Sequence, residues 1–353
     1  MSDGKNGFEK TKHNFPYKWT LKDAVFTKDK GKVFSCFACG GGSTMGYKLA
    51  GFDVLGCNEI DPKMIEAYKA NHNPKYAYLE PIQTFKLRTD LPDELYNLDI
   101  LDGSPPCSSF SMAGNREKDW GKDKVFREGQ AMQVLDTLFF DFIDLAKKLQ
   151  PKVVVAENVK GLLLGEAKAY VRKIYREFDL AGYYCQHWLL DASKMGVPQR
   201  RERVFFIALR KDLAEPFLYQ QDMFTVVPKL ELEFNEKGIK LDQIDSNLKG
   251  KHFVSAGNDR HIKFGRLRFG NSNEVAFTLT ASGNQTDFFD YIENNNFING
   301  YKFNNEQINL ISTFPTDYNF LGKKNIYLCG MSVPPVMTAQ IAKQVYEQWL
   351  SKI

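Results

Sequence analysis

No apolar run in the chain approaches the length needed to cross a bilayer, and the first five residues lack the apolar core of a secretory signal. A protein of the reducing cytoplasm, away from membranes, is therefore expected. The six cysteines, at 36, 39, 57, 107, 185 and 329, are scattered, which speaks against a disulfide framework. Cys36 and Cys39 form a C-x-x-C pair, but no second pair or histidine cluster accompanies them, so no metal site is expected. A large excess of one charge is also missing. The net charge of +4 over 353 residues excludes a purely electrostatic binder and leaves room for a local basic cleft. Internal repeats are absent. The dinucleotide pattern G-x-G-x-x-G fails too, because Gly40 and Gly42 put Met45 where the third glycine belongs.

What the chain does have is alternation. Val33 to Phe37 reads as a strand, followed by a glycine turn and a helix over 44–50 with Ser43 as its N-cap and Gly51 as its stop. A strand over 53–57 and a helix opened by Asp61-Pro62 and running to Tyr68 repeat the unit. A strand ending at Leu101, a helical pattern over 130–149 and strands over 153–156 and 204–209 continue it. The fully apolar Val153 to Ala156 suits the middle of a parallel sheet covered on both faces. An α/β fold follows. Near residue 212 the alternation stops, and the chain stays polar and aromatic without helical period up to 304. Met337, Ile341, Val345 and Trp349 then mark a closing helix. The expected division is an N-terminal arm or solvated tail over 1–30, a main domain over 31–211, an irregular insert over 212–304 and a C-terminal segment over 305–353 that returns to the main domain.

Four groups carry candidate chemistry. The run Asp102-Gly103-Ser104-Pro105-Pro106-Cys107 stops a strand and stiffens the chain, placing a thiol at the carboxyl edge of the sheet where open α/β sheets bind ligands. A buried, inert cysteine is the plain alternative. Gly40, Gly41 and Gly42 let a ligand approach the backbone ahead of a helix start, and Glu59, one strand later, stands where an acid bonds ribose hydroxyls. The two together imply a nucleoside cofactor, with a structural turn as the alternative. Glu157 ends the apolar strand and lies near Cys107 if the two strands are neighbours; a thiolate and an acid suit addition to an electron-poor base. It could equally cap a helix. Arg201 and Arg203 alternate ahead of a strand and project to one side, suited to a phosphate or carbonyl oxygen, or simply to solvent.

The series Phe37-Ala38-Cys39-Gly40-Gly41-Gly42, Asn58-Glu59, Pro105-Pro106-Cys107, Glu157-Asn158-Val159, Gln199-Arg200-Arg201-Glu202-Arg203 and Gly330-Met331-Ser332-Val333-Pro334-Pro335 resembles, in order, the motifs of the bacterial and phage DNA (cytosine-5-)-methyltransferases. The resemblance implies a Rossmann-like, S-adenosylmethionine-dependent sheet with a target-recognition domain as the insert. It implies that Cys107 attacks C6 of a flipped cytosine, that Glu157 donates to N3, and that Arg203 with Arg201 holds the carbonyl side of the base. The base must first leave the duplex, at a cost of a few kcal/mol. Around the cofactor, Glu59 would take the ribose, Ile60 or Phe37 would flank the adenine, Cys39, Gly40 and Gly42 would form the turn, and Pro106, Ser332 and Val333 would close on the methionine part. Residues 114–129, with Arg116, Lys118, Lys122, Lys124 and Arg127, resemble the loop that folds over the flipped base. Lys249, Lys251, Arg260, Lys263, Arg266 and Arg268, interleaved with Phe253, Phe264 and Phe269, suit phosphate contacts and groove insertion.

The implied partners are double-stranded DNA and a cognate restriction endonuclease, for a monomer in the cytoplasm. A transfer-RNA cytosine-5 methyltransferase and a non-catalytic DNA-binding relative stay open. The chain departs from the family pattern in places. Cys39 replaces a glycine, where its side chain could crowd the cofactor, and Ser108 stands where many relatives carry glutamine. Proline at 81 occupies the place of the adenine-binding acid, leaving Glu80 as its substitute, and Met331 replaces an asparagine.

Overall fold

The computed structural model describes residues 13–106, 123–124, 133–134, 137–164, 167–256, 267–281, 287–293, 296–298 and 301–353. Seven strands make the central sheet: β1 (Lys32–Cys36), β2 (Asp53–Glu59), β3 (Tyr76–Leu79), β4 (Ile100–Gly103), β5 (Val153–Val159), β6 (Tyr183–Asp191) and β7 (Glu202–Arg210). Their order is β3-β2-β1-β4-β5-β7-β6. Strands β1 to β5 pair in parallel. Such pairs need crossovers, and the helices α1 (Gly42–Leu49), α2 (Pro62–His72), α3 (Leu138–Leu149) and α4 (Ala167–Leu180) lie between sheet strands along the chain. Strand β7 is antiparallel to both β5 and β6. The order reverses between β1 and β4, which creates a switch point at their carboxyl ends.

Period-two alternation divides the sheet between two cores. On one face Phe34, Leu101, Val154, Ala156 and Phe206 pack with Phe139, Phe142, Ile174 and Phe178. On the other, Val33, Ile100, Val153, Val155 and Ile207 pack with Tyr47 and with Val336, Met337, Ile341 and Val345 of the long C-terminal helix α5 (Pro335–Gln348). Strand β5 is apolar throughout because both faces are covered, as expected, but the sheet around it is mixed: one neighbour is parallel β4 and the other antiparallel β7.

Helix α1 begins at Gly42, two residues before the expected start, with Gly41 at φ 85 as its N-cap and no side chain capping it. Ser43 does not cap, because its hydroxyl turns down to Asp102 in β4. Asp61 caps α2 as expected, accepting from the amide of Lys63 at 2.8 Å. Leu213, Phe217, Leu230 and Leu232, all beyond residue 211, join the core under α5, and the Trp349 indole donates to the Lys229 carbonyl at 2.7 Å. Farther on, the strands Leu267–Asn271, His252–Ala256, Asp287–Phe289 and Tyr301–Lys302 form a separate antiparallel sheet. Leu241, Leu248, Phe253 and Leu279 pack with Trp19, Met45, Met64 and Phe314, so this unit shares a core with the α1 and α2 side of the main sheet. Among the described residues no helix is long and apolar enough to cross a membrane.

Candidate active site at the carboxyl edge of the sheet

Strands β4 and β5 are neighbours, with Gly103 paired to Ala156. Beyond the pairing, the Asn158 amide donates to the Pro105 carbonyl at 3.1 Å, so the proline run stays beside the end of β5. Cys107 and the loop 114–122 lie outside the described residues, as do Ser108, Arg127, Arg260, Lys263, Phe264 and Arg266. Glu157 continues the Val153 and Val155 face of β5. It pairs with Phe205 of β7, which brings Arg203, two residues along, to the same face. The Arg203 Nε stands 2.9 Å from Glu157 Oε1, with both side chains largely buried. Burial works against the Arg203 charge, and the carboxylate beside it works in its favour.

Arg201, on the same side as Arg203, is 2 % exposed and turns inward. Its Nη1 donates to the Leu279 carbonyl and its Nη2 to those of Gly330 and Ser332, each at 3.0 Å. Neighbouring Gln199 donates to the Ile311 carbonyl and accepts from the Leu279 amide. The motif thus joins the end of β7 to the insert and to the segment carrying Ser332 and Val333. The rigid fork of a guanidinium suits this three-way contact.

The glycine turn is shaped from both sides. A Cβ on Gly40 would stand 2.6 Å from the Leu328 side chain, one on Gly41 would meet His72, and one on Gly42 would meet Val333 and Ser332. The three glycines therefore admit the C-terminal segment and α2 as well as any ligand. The Gly40 carbonyl accepts from the Tyr318 hydroxyl at 2.6 Å and lies 3.3 Å from His72 Nε2, which turns it into the protein. Burial lowers the His72 pKa to about 3, so the imidazole is neutral. Because the Gly42 Cβ direction is blocked by the Val333 carbonyl and the Ser332 side chain, Gly42→Ala is expected to lower stability by about 1–3 kcal/mol. Thermal unfolding measures this, and an unchanged Tm would contradict the packing argument.

Cys39 adopts the left-handed conformation at φ 51, the region that favours glycine. Its buried thiol lies 3.6 Å from the Met64 sulfur, in the third core with Leu328 and Cys329, so its side chain is accommodated inside the protein. The Glu59 carboxylate, 5 % exposed, is fixed by amides: Cys39 at 2.7 Å on Oε2, and Ile60 and Asp61 at 2.9 Å on Oε1. Phe37 packs edge-on against Phe142. The Glu80 carboxylate is held by Arg88 at 2.9 Å and by Thr84 at 3.1 Å. Ser332 bonds the Leu328 carbonyl through its hydroxyl, and Val333 is buried beside it. Phe253 is fully buried against Phe277, with rings 4.8 Å apart, which removes it from groove insertion, and Lys251 is paired with Asp290. Among the described residues no cluster could hold a metal ion.

Sequence reasoning passed over one group. Asp102, 4 % exposed, accepts from Ser35 at 2.6 Å and Ser43 at 2.9 Å on Oδ2, and from Tyr47 at 3.1 Å on Oδ1. The pairing of Ser35 with Asp102 across β1 and β4 was legible only once the strand order was known.

An uncapped helix start behind a glycine turn and an acid fixed one strand later, at the switch point of the sheet, form a candidate site for a nucleoside-containing ligand. The comparisons sharpen this reading. Residues 31–347 match the family model of the C-5 cytosine-specific DNA methylases, and the chain belongs to that family. It is 30 % identical over 348 residues to the Type II methyltransferase M.FnuDI of Fusobacterium nucleatum, spanning 91 % of this chain and 96 % of that one. To M.NgoPII of Neisseria gonorrhoeae it is 33 % identical over 264 residues, 72 % of each. Among solved structures, a putative DNA modification methyltransferase from an E. coli prophage superposes with a TM-score of 0.59 at 18 % identity, covering 90 % of this chain and 99 % of that one, a likeness of fold. The protein is a DNA cytosine-5 methyltransferase with S-adenosylmethionine as its methyl donor. Between the two nucleic acids, the family decides for DNA.

Proposed function

We propose that Cys107 and Glu157 carry out the transfer on a cytosine flipped from a specific duplex sequence. The observation that carries this reading is the juxtaposition of strand ends: Glu157, in the carboxyl half of β5, follows the Gly103–Ala156 pairing, and Asn158 beside it ties β5 to the Pro105-Pro106 run that leads to Cys107. When bound, S-adenosylmethionine supplies a sulfonium-activated methyl group. The Cys107 thiolate adds to C6 while Glu157 delivers a proton to N3, and the electron pair released into the ring makes C5 a carbon nucleophile. Transfer of the methyl group to C5 would release the donor as its neutral thioether; loss of the C5 proton to solvent with cleavage of the C6–sulfur bond then regenerates the thiolate, and N3 returns its proton to Glu157. Arg203 fixes the Glu157 carboxyl and faces the carbonyl side of the base. Arg201 supports the site from behind.

Glu59 takes the ribose hydroxyls, with Phe37 and Ile60 beside the adenine. Glu80, which follows β3 and pairs with Arg88, takes the adenine amino group. The turn at Cys39, Gly40 and Gly42 meets the methionine part, with Pro106, Ser332 and Val333 closing round it. The chain divides into an arm over 1–30, a catalytic domain over 31–211, a recognition domain over 212–304 and a returning segment over 305–353. Within the recognition domain, Leu213, Phe217, Leu230 and Leu232 lie against the catalytic core. The names of the relatives as Type II methyltransferases support a cognate restriction endonuclease as partner, and a monomer acting in the cytoplasm is part of the same proposal.

The test combines labelled S-adenosylmethionine with mixed-sequence duplex DNA, followed by bisulfite sequencing. Label on cytosine C5 within one recurrent sequence is expected, and no labelling of any duplex would overturn the reading. Glu157→Gln is expected to lower kcat about 10²-fold to 10⁴-fold while leaving cofactor affinity in place. A variant with unchanged kcat would remove Glu157 from the chemistry.

A further inference from the structure

The Asp102 carboxylate sits beneath the cofactor turn, and neither the motif series nor the mechanism uses it. It lies on β4, directly across from Ser35 of β1, on the two strands that flank the switch point. Its three donors come from two elements: Ser35 from β1, and Ser43 and Tyr47 from α1. The Ser43 hydroxyl, one residue into the helix, is thereby drawn to the sheet, and the helix start keeps no side-chain cap. The first amides of a helix have no intrahelical partner, so an uncapped start is available to a ligand.

We propose that Asp102 is a positioning residue for S-adenosylmethionine, lashing the first turn of α1 to β1 and β4 in the orientation that receives the methyl donor. The inference rests on the reading that the glycine turn and α1 hold that donor. The ionised carboxylate accepts all three hydroxyls at full strength; protonation adds a donor of its own among them and weakens that acceptance. Burial raises the Asp102 pKa to about 6, opposed by the three hydroxyls and reinforced by the charge of Glu157. The other titratable groups around it are Cys36 of β1, Tyr47 of α1 and Tyr68 of α2, all driven upward by burial and neutral near pH 7. Glu157 of β5, paired with Arg203, faces Asp102 from the neighbouring strand and raises its pKa.

Two opposite pH trends follow. Cofactor affinity should fall as pH drops through about 6. Because the folded state holds this proton more tightly than the unfolded chain, the Asp102 contribution to stability falls as pH rises from about 4 to about 6. A carboxylate that served only the fold would not link the first trend to the second.

The experiment measures S-adenosylmethionine binding by calorimetry from pH 5 to 8, together with Tm, for the wild type, Asp102→Asn, Ser43→Ala and Gly42→Ala. Asp102→Asn is expected to bind about 10-fold more weakly at pH 7.5, to lose the inflection near pH 6, and to keep or raise its Tm there. Ser43→Ala, which removes one donor and leaves the carboxylate, should weaken binding severalfold and carries the test if Asp102→Asn does not fold. Wild-type affinity and an unaltered pH profile in Asp102→Asn or, should it fail to fold, in Ser43→Ala would overturn the proposal. If Gly42→Ala also binds normally, the reading of the turn as the cofactor site fails with it; if Gly42→Ala alone is weakened, only the role of Asp102 fails.

Discussion

Cys107→Ala is expected to lower methyl transfer by about 10³-fold or more, because nothing else in the proposed site can make cytosine C5 a nucleophile. In the free base, C5 belongs to an aromatic ring whose electrons are drawn toward the ring nitrogens. Addition of a thiolate at C6 breaks that conjugation and leaves an enamine with its density on C5. Serine would not substitute, since an alcohol is far less ionised than a thiol at neutral pH. Incubation with S-adenosylmethionine and duplex DNA containing 5-fluorocytosine separates the chemistry from binding, because once C5 is methylated its fluorine cannot leave as the proton does and the adduct persists. Mass spectrometry should find a protein–DNA adduct for the native chain and none for Cys107→Ala, with DNA affinity preserved. A variant that still forms the adduct would place the nucleophile elsewhere.

The second large effect is on stability. Arg201→Ala removes the donors from the carbonyls of Leu279, Gly330 and Ser332 at once. Leaving a buried acceptor unsatisfied costs about 1–3 kcal/mol. The arginine is itself unfavourably placed: burial, with Arg203 close by, brings its pKa down to about 9, so alanine also relieves a desolvation cost. The net expectation is a loss of about 2–4 kcal/mol, combining the unmade bonds with that relief. Arg201→Lys should recover only part of it, because an ammonium cannot present a planar fork to three carbonyls. Thermal unfolding measures both variants, and an Arg201→Ala protein as stable as the native one would show that the three contacts are dispensable. Because the same side chain joins the insert to the segment of Ser332, the alanine variant should also raise the KM for S-adenosylmethionine.

Much of the fold could be read from local pattern. The strand at 153–156, the helix cap at Asp61 and the closing helix around Met337 and Trp349 were all evident, since period-two and period-3.6 apolar repeats report which side of an element is covered. Strands β3 and β6 were passed over. In β6 the burial alternates only in part, because an edge strand has one neighbour and leaves Leu189 exposed. The direction of β7 was equally hidden. An apolar run tells that both faces are covered and says nothing about which way the next strand runs.

The site divides in the same manner. The order of motifs along the chain placed Cys107, Glu157, Glu59 and the glycine turn in one family's chemistry, because the chemistry needs those residue types and a motif preserves their local spacing. Long-range placement was out of reach. That Gly42 faces Val333, that Arg201 turns inward to three carbonyls and that Phe253 belongs to a core are contacts between residues far apart in sequence.

The sequence by itself pointed to a nucleoside ligand and a thiol with an acid, and through the resemblance of its ordered motifs to one family it implied the reaction class, the methyl donor and the residues proposed to make and break bonds, since a motif is side-chain type held in a short local frame. The tertiary structure alone decided which charged groups work behind the site: Arg201 as a buried tie, Arg203 as the partner of Glu157, and Asp102 as the carboxylate under α1. Those roles depend on strand order and on the removal of water around a charge, and neither is encoded in the neighbours a residue has along the chain.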